Sequence, residues 1–150
     1  MRHAVAAALA AGLAVPASAV GVSGPGVVNF PDVPIRPKRD RTAHGYLSPA
    51  IYTVHKPSFC WELSLATRSQ PLFFYLRRAG TGRVVVKVWI GDNHVPPQPW
   101  SGSGYYSGCA FIPRADERAF LHHPRRYYLD VRTQTARHAA VAYPHGPRLA

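Results

Sequence analysis

Acidic side chains are scarce in this chain. Seven Asp and Glu residues stand against 18 Lys and Arg residues in 150, and the formal charge is +11. So few carboxylates leave little material for a catalytic carboxylate pair or a calcium loop. Lysine is scarce as well, and the only lysines are Lys38, Lys56 and Lys87. The positive charge is therefore carried by arginine, whose planar guanidinium group binds phosphate, sulfate and carboxylate through paired donors. The abundance of Arg, Ala, Gly and Pro is also typical of a GC-rich genome, so composition alone does not define a ligand.

Cysteine is limited to Cys60 and Cys109. In an exported chain the default for two cysteines is one disulfide. The loop that this disulfide closes has about 50 residues, and the chain-entropy model gives such a loop roughly 4 kcal/mol of stabilisation. We therefore predict a Cys60–Cys109 disulfide and leave open whether it crosses the core or joins a strand edge.

No apolar run is long enough to cross a bilayer, which takes about 20 residues. The apolar run of residues 4–15 follows Arg2 and His3 and precedes Pro16 and the small residues Ala17, Ser18 and Ala19. This order predicts a cleaved signal peptide over residues 1–19, with a buried Ala-rich helix as the alternative. The expected localisation is secreted or extracellular, with no transmembrane anchor.

Helical periodicity is nearly absent from the mature chain, and alternation of period two takes its place. Clear strand patterns cover residues 59–65, 72–77, 84–90 and 127–132, and shorter candidates lie at 51–54, 105–112 and 139–143. The one helical candidate is Arg114 to Leu121, preceded by Pro113. The pattern predicts an all-β domain: a single small antiparallel β-sandwich of six to seven short strands, with a small barrel as the alternative.

Prolines divide the mature chain into two parts. Pro25, Pro31, Pro34 and Pro37 interrupt the segment before residue 45, and each lacks a backbone donor. We therefore expect residues 20–45 to form a partly disordered basic arm, with Phe30, Val33 and Ile35 able to dock it. Residues 46–150 are expected to form the disulfide-stapled sandwich domain.

Motifs that would indicate catalysis or cofactor binding are missing. The Gly/Ser segment at residues 101–104 lacks the spacing of a nucleophile elbow, and Glu62 and Asp130 are more typical of surface ion pairs than of an acid pair. His122 and His123 are adjacent, and on an extended chain they would point to opposite sides. We expect no catalytic residue, no metal site, no cofactor and no enzymatic activity.

Two sets of residues are candidates for binding. Four aromatic residues surround the Pro-rich stretch 96–99, where exposed rings would stack on sugars or prolines, and the alternative is that they cover a sheet edge. They are Trp89, Trp100, Tyr105 and Tyr106. The second set consists of the basic clusters at 36–41, 77–78 and 125–126.

The sequence therefore predicts a secreted, non-catalytic binding protein. Expected partners are an anionic cell-wall polymer, a glycan or an extracellular protein, and export argues against a physiological nucleic-acid partner. One alternative is an inhibitor or accessory partner of an extracellular enzyme, and a second is a small secreted hydrolase. The sequence does not indicate an oligomeric state.

Overall fold

A computed structural model describes residues 26–90 and 99–145 of the chain. The predicted signal peptide, residues 20–25 of the expected arm and part of the Pro-rich stretch lie outside these ranges. No helix in the described ranges has the length and hydropathy needed to span a membrane. The described elements, in chain order, are β1 (Val27–Asn29), β2 (Val33–Pro37), β3 (His44–Tyr52), β4 (Ser58–Ala66), β5 (Pro71–Arg78), β6 (Val84–Trp89), β7 (Ser103–Phe111), α1 (Arg114–His122), a 3-10 turn (Pro124–Arg126), β8 (Tyr127–Thr133) and β9 (Ala140–Ala142).

The strands form one antiparallel sheet that is nearly closed into a barrel. Their order is β6-β5-β8-β9-β2-β3-β4-β7, and β1 pairs with the far end of β3. Strand β2 joins the two halves of the sheet, because Val33–Ile35 pair with β3 whereas Arg36 and Pro37 pair with β9. The all-β prediction is confirmed, and the continuous sheet corresponds to the small-barrel alternative.

Alternation along the strands creates the core. In β4, Phe59, Trp61, Leu63 and Leu65 are buried while the intervening Glu62 and Ser64 are exposed. Strand β8 likewise buries Tyr127, Leu129 and Val131. Successive strand side chains point to opposite faces, so the period-two pattern alone sorts residues between the interior and the outer surface.

Helix α1 covers one end of the barrel. The side chain of Phe120 is fully buried, and its ring lies 5.0 Å from Phe30, 5.7 Å from Phe59 and 5.3 Å from Tyr127 between centroids. Pro113 precedes the helix at the N-cap position, where its missing N–H removes no helical hydrogen bond. The predicted helix is confirmed, and it extends to His122.

Residues 26–45 do not form the arm expected from their prolines. Strands β1 and β2 and the start of β3 fall within this segment, and Phe30, Val33 and Ile35 belong to the core. Proline is tolerated in β2 because each edge of the strand is paired over only part of its length. The folded domain therefore begins well before residue 46.

The disulfide between Cys60 and Cys109 is present. The two cysteines lie directly opposite each other on β4 and β7, with Cα atoms 4.0 Å apart. Both side chains lie on the outer face of the sheet, since their neighbours Phe59 and Trp61 point inward. The disulfide therefore joins the edge strand β7 to β4 and does not cross the core.

Candidate functional site

Three connecting loops meet at the end of the barrel opposite α1, here called the loop end. They are residues 38–43 between β2 and β3, residues 67–70 between β4 and β5, and residues 134–139 between β8 and β9. Antiparallel strands reverse direction at each turn, so loops that follow every second strand emerge at the same end. This places segments that are distant in sequence side by side.

Asp40 connects the first two loops. Its Oδ1 accepts hydrogen bonds from the Thr42 backbone N–H at 2.9 Å and from Thr42 Oγ1 at 2.6 Å. Its Oδ2 accepts the backbone N–H of Arg68 at 2.7 Å. Burial alone would raise the pKa of Asp40, but these hydrogen bonds, together with the positive charge of Arg68, outweigh it and lower the pKa below the ordinary value of 3.8. The carboxylate is thus held ionised as a structural tie.

The third loop is fixed by further contacts. The backbone N–H groups of Lys38 and Asp40 both donate to the carbonyl of Ala139, at 3.0 and 3.1 Å. Ser69 Oγ and Thr135 Oγ1 lie 2.7 Å apart and share a hydrogen bond. All three loops therefore have defined positions relative to one another, which a preorganised binding site requires.

A cavity of about 540 Å³ lies between these loops. Its lining includes four arginines whose side chains lie on exposed residues: Arg39, Arg41, Arg68 and Arg137. None of the four forms an ion pair among the residues that the structure describes. The only carboxylate in the lining is that of Asp40, which leaves a surplus of positive charge. The volume is typical of a site for a small ligand or for one unit of a polymer.

Other arginines of the chain are used differently. Arg77 Nε donates to Asp130 Oδ2 at 2.9 Å, and Asp130 also lies 2.8 Å from His138 Nδ1. Arg78 and Arg83 both bond to Asp116, at 2.7 Å each. The cluster predicted at 77–78 is therefore neutralised by buried carboxylates.

The pair Arg125 and Arg126 lies in the 3-10 turn at the helical end of the barrel. Only the cluster at 36–41 contributes to the cavity, where Arg39 and Arg41 meet the two isolated arginines of the other loops.

The four predicted aromatic residues lie in different settings in the described structure. Trp89 lies on the outer face of β6, with its ring 4.8 Å from that of Phe73. Trp100 donates its indole N–H to the carbonyl of Thr67 at 3.0 Å. Tyr105 is exposed on the outer face of β7, whereas Tyr106 packs against the core. Adjacent residues of one strand face opposite sides, which separates the last two.

Glu62 and Asp130, the acid pair considered from sequence, are also separated. Asp130 is buried on β8, whereas Glu62 is exposed on β4, and no ladder joins these strands. Within residues 26–90 and 99–145, no group of three or more His, Cys, Asp or Glu side chains is placed to hold a metal ion.

Arg68 and Arg137 were missed by the sequence reasoning because each stands alone in a short loop. Adjacent pairs of basic residues are easier to recognise in a sequence, but the side chains of two neighbours on a strand point to opposite faces of the sheet. The alternating direction of the strands is the signal that groups these arginines, because the loops after β2, β4 and β8 emerge at the same end of the barrel.

One fold can host many functions, so the function of this protein depends on the residues of its sites. Comparison with models of protein families, with curated proteins and with solved structures finds no match to this chain.

Proposed function

We propose that this protein is an exported, non-catalytic binding protein that holds an anionic polymer at its loop end. The observation that carries the proposal is the convergence on one cavity of about 540 Å³ of four guanidinium groups that form no ion pair within residues 26–90 and 99–145. Arginine presents a rigid fork of donors, and two such forks can hold the same phosphate or carboxylate.

Two features support a specific role over a general basic surface. The loops that carry Arg39, Arg68 and Arg137 are held together by Asp40 and by backbone hydrogen bonds, which favours a preorganised cavity. The second feature is that arginines outside the cavity are paired with buried carboxylates. These are Arg77 with Asp130, and Arg78 and Arg83 with Asp116. The net charge of +11 adds long-range attraction that concentrates an anionic polymer at the surface.

Export is supported by the N-terminal pattern and by the disulfide. Residues 1–19 combine a basic start, an apolar run and a small-residue cleavage pattern. A disulfide of the Cys60–Cys109 type persists in oxidising surroundings. An acidic cell-envelope polymer is the partner that agrees with both the expected location and the cavity.

The proposal is tested with the oxidised protein lacking residues 1–19 and with inorganic polyphosphate as the probe, by titration calorimetry at low and high salt. The triple substitution Arg39→Gln, Arg68→Gln and Arg137→Gln removes three cavity charges. The matched control Arg114→Gln, Arg118→Gln and Arg125→Gln removes three exposed charges elsewhere.

We expect the cavity variant to bind at least about tenfold more weakly, which corresponds to about 1.4 kcal/mol. The control variant should lose no more than about threefold, through weaker long-range attraction. Equal losses in the two variants would show that net charge alone governs binding and would overturn the assignment of the cavity. Undiminished binding at about 1 M NaCl would contradict a charge-driven mode, since exposed charges are then screened within ~3 Å.

A further inference from the structure

A second cavity, of about 560 Å³, lies on the outer face of β3, β4 and β7 and shares no lining residue with the arginine cavity. We call it the outer groove. Two cross-strand rows occupy its centre, and every side chain in them except that of Glu62 is short: Ser48, Glu62 and Ser107 form one row, and Ala50 with the two cysteines forms the next. The small residues account for the concave shape of the face.

Two further rows, one on each side of this pair, carry aromatic rings. Tyr46 and Tyr105 flank Ser64 in the row on one side, and Tyr52 and Phe111 flank Ser58 in the row on the other. Their relative exposures are 61%, 63%, 44% and 62%. The two aromatic rows are six residues apart on β3, which at a rise of about 3.4 Å per residue separates them by ~20 Å. Large rings so exposed on one face are typical of a binding surface.

The outer groove carries two carboxylates, although the protein as a whole is basic. Asp32 Oδ1 accepts a hydrogen bond from Ser48 Oγ at 2.6 Å, and Glu62 lies directly opposite Ser48 in the ladder. Neither carboxylate forms an ion pair among the described residues, although the chain has 18 Lys and Arg residues. Burial, followed by the hydrogen bonding and charge of Glu62, raises the pKa of Tyr105. Hydroxyl groups rather than cations therefore accompany both carboxylates.

Trp61 supports the floor of the groove from the core side of the sheet. It is 6% exposed, and its ring lies 4.7 Å from that of Phe74 between centroids. The Cε2–Cζ2 edge of the indole lies against Gly108, where an added Cβ would be 3.0 to 3.6 Å from those atoms. This packing fixes β4 and β7 against each other beneath the groove, whose lining includes both residues.

We propose that the outer groove binds a saccharide chain that carries protonated amino groups. The ammonium groups pair with Asp32 and Glu62, the sugar hydroxyls bond to Ser48 and Ser107, and the ring faces lie on the exposed aromatic rings. An anionic ligand is disfavoured because it would meet two carboxylates. A lysine-rich peptide would satisfy the charges, but it has no sugar-ring C–H faces to stack on two aromatic rows ~20 Å apart.

The test uses the oxidised protein lacking residues 1–19 and the hexamer of β-1,4-linked glucosamine, at about pH 5.5, where Asp and Glu are normally ionised. The fully N-acetylated hexamer and hexalysine are the comparison probes. The carboxylate variant is Asp32→Asn with Glu62→Gln. Its matched control, Ala79→Lys with Ala115→Lys, raises the net charge by the same two units at exposed positions. The full chain has a formal charge of +11 and the protein without residues 1–19 loses only Arg2, so the tested protein repels a polycation and binding of the hexamer reports a local site.

We expect the glucosamine hexamer to bind at least tenfold more tightly to the wild type than to the carboxylate variant, with a smaller loss in the lysine control. Tyr46→Ala with Phe111→Ala should weaken binding severalfold, while Trp89→Ala, on the other half of the sheet, leaves it unchanged. Equal binding of hexalysine, equal losses in the two charge variants, or no binding of the hexamer would each overturn the proposal. Cleavage of the hexamer would overturn a binding-only role. Because polyphosphate binding tests the other cavity, the two proposals fail independently.

Discussion

Asp116 illustrates how single carboxylates organise this arginine-rich chain. It lies in the first turn of α1, where negative charge is favourable, and it accepts hydrogen bonds from Arg78, Arg83 and the hydroxyl of Tyr127. Burial alone would raise the pKa of Asp116, but the bonds from Arg83, Tyr127 and Arg78 outweigh it and lower the pKa below 3.8. The carboxylate therefore ties the helix to β5, the β5–β6 turn and β8.

A lowered carboxyl pKa contributes stability above the ordinary value of 3.8, and this stability is lost as the pH falls through the folded-state pKa. Asp116→Asn should lower the free energy of unfolding by roughly 2–3 kcal/mol at pH 7, since a buried carboxylate loses its charged hydrogen bonds. Urea unfolding followed by tryptophan fluorescence at pH 7 and at pH 3 measures both effects.

In acid the Asp116→Asn variant should lose less further stability than the wild type, and the remaining dependence includes the contribution of Asp40. Asp32→Asn, an exposed position outside this network, serves as the control and should unfold like the wild type. An Asp116→Asn variant with the full acid dependence of the wild type would contradict the role given to this carboxylate.

Strand β7 shows how one element depends on a covalent tie. It lies at the end of the strand order, pairs with β4 along Ser103–Phe111 and buries no residue fully. Because β7 shares a ladder with only one neighbour, the Cys60–Cys109 disulfide holds it to the sheet.

The double substitution Cys60→Ala and Cys109→Ala should therefore lower the free energy of unfolding by up to about 4 kcal/mol, the value for a closed loop of about 50 residues. Amide hydrogen exchange should accelerate first in β7, before the central strands β5 and β8. Chemical reduction of the wild type should reproduce the pattern. Uniform acceleration across all strands would show instead that the disulfide stabilises the barrel as a whole.

At the scale of the whole molecule, β2 decides whether the barrel is continuous. It is the only described strand that pairs with both β3 and β9, so it connects the half of the sheet that carries the outer groove to the half built from β5, β6 and β8. Its buried Val33 and Ile35 also fill the core between the halves.

Removal of residues 20–37 should accordingly abolish cooperative unfolding, measured by thermal denaturation with near-UV circular dichroism. A shorter deletion of residues 20–25, which precedes β1, is the control and should retain a cooperative transition. If the longer deletion also folded cooperatively, the segment would behave as the dispensable arm that its prolines suggest.

The sequence by itself determined the features that depend on neighbouring residues. Alternation of apolar residues specified β4, β5, β6 and β8, because side chains of a strand point to alternate faces. A proline followed by a short polar and apolar pattern indicated α1, and two cysteines in a chain with a predicted signal peptide indicated their disulfide. These properties are local or covalent.

Only the tertiary structure decided which distant residues meet. Arg68 and Arg137 join Arg39 because antiparallel strands return their loops to one end of the barrel. Asp32 comes beside Glu62 because β2 and β4 flank β3, an order that no local pattern contains. Prolines likewise concealed β1 and β2, whose pairing depends on partners elsewhere in the chain. Both candidate sites arise from strand order, and strand order is set by long-range packing of the core.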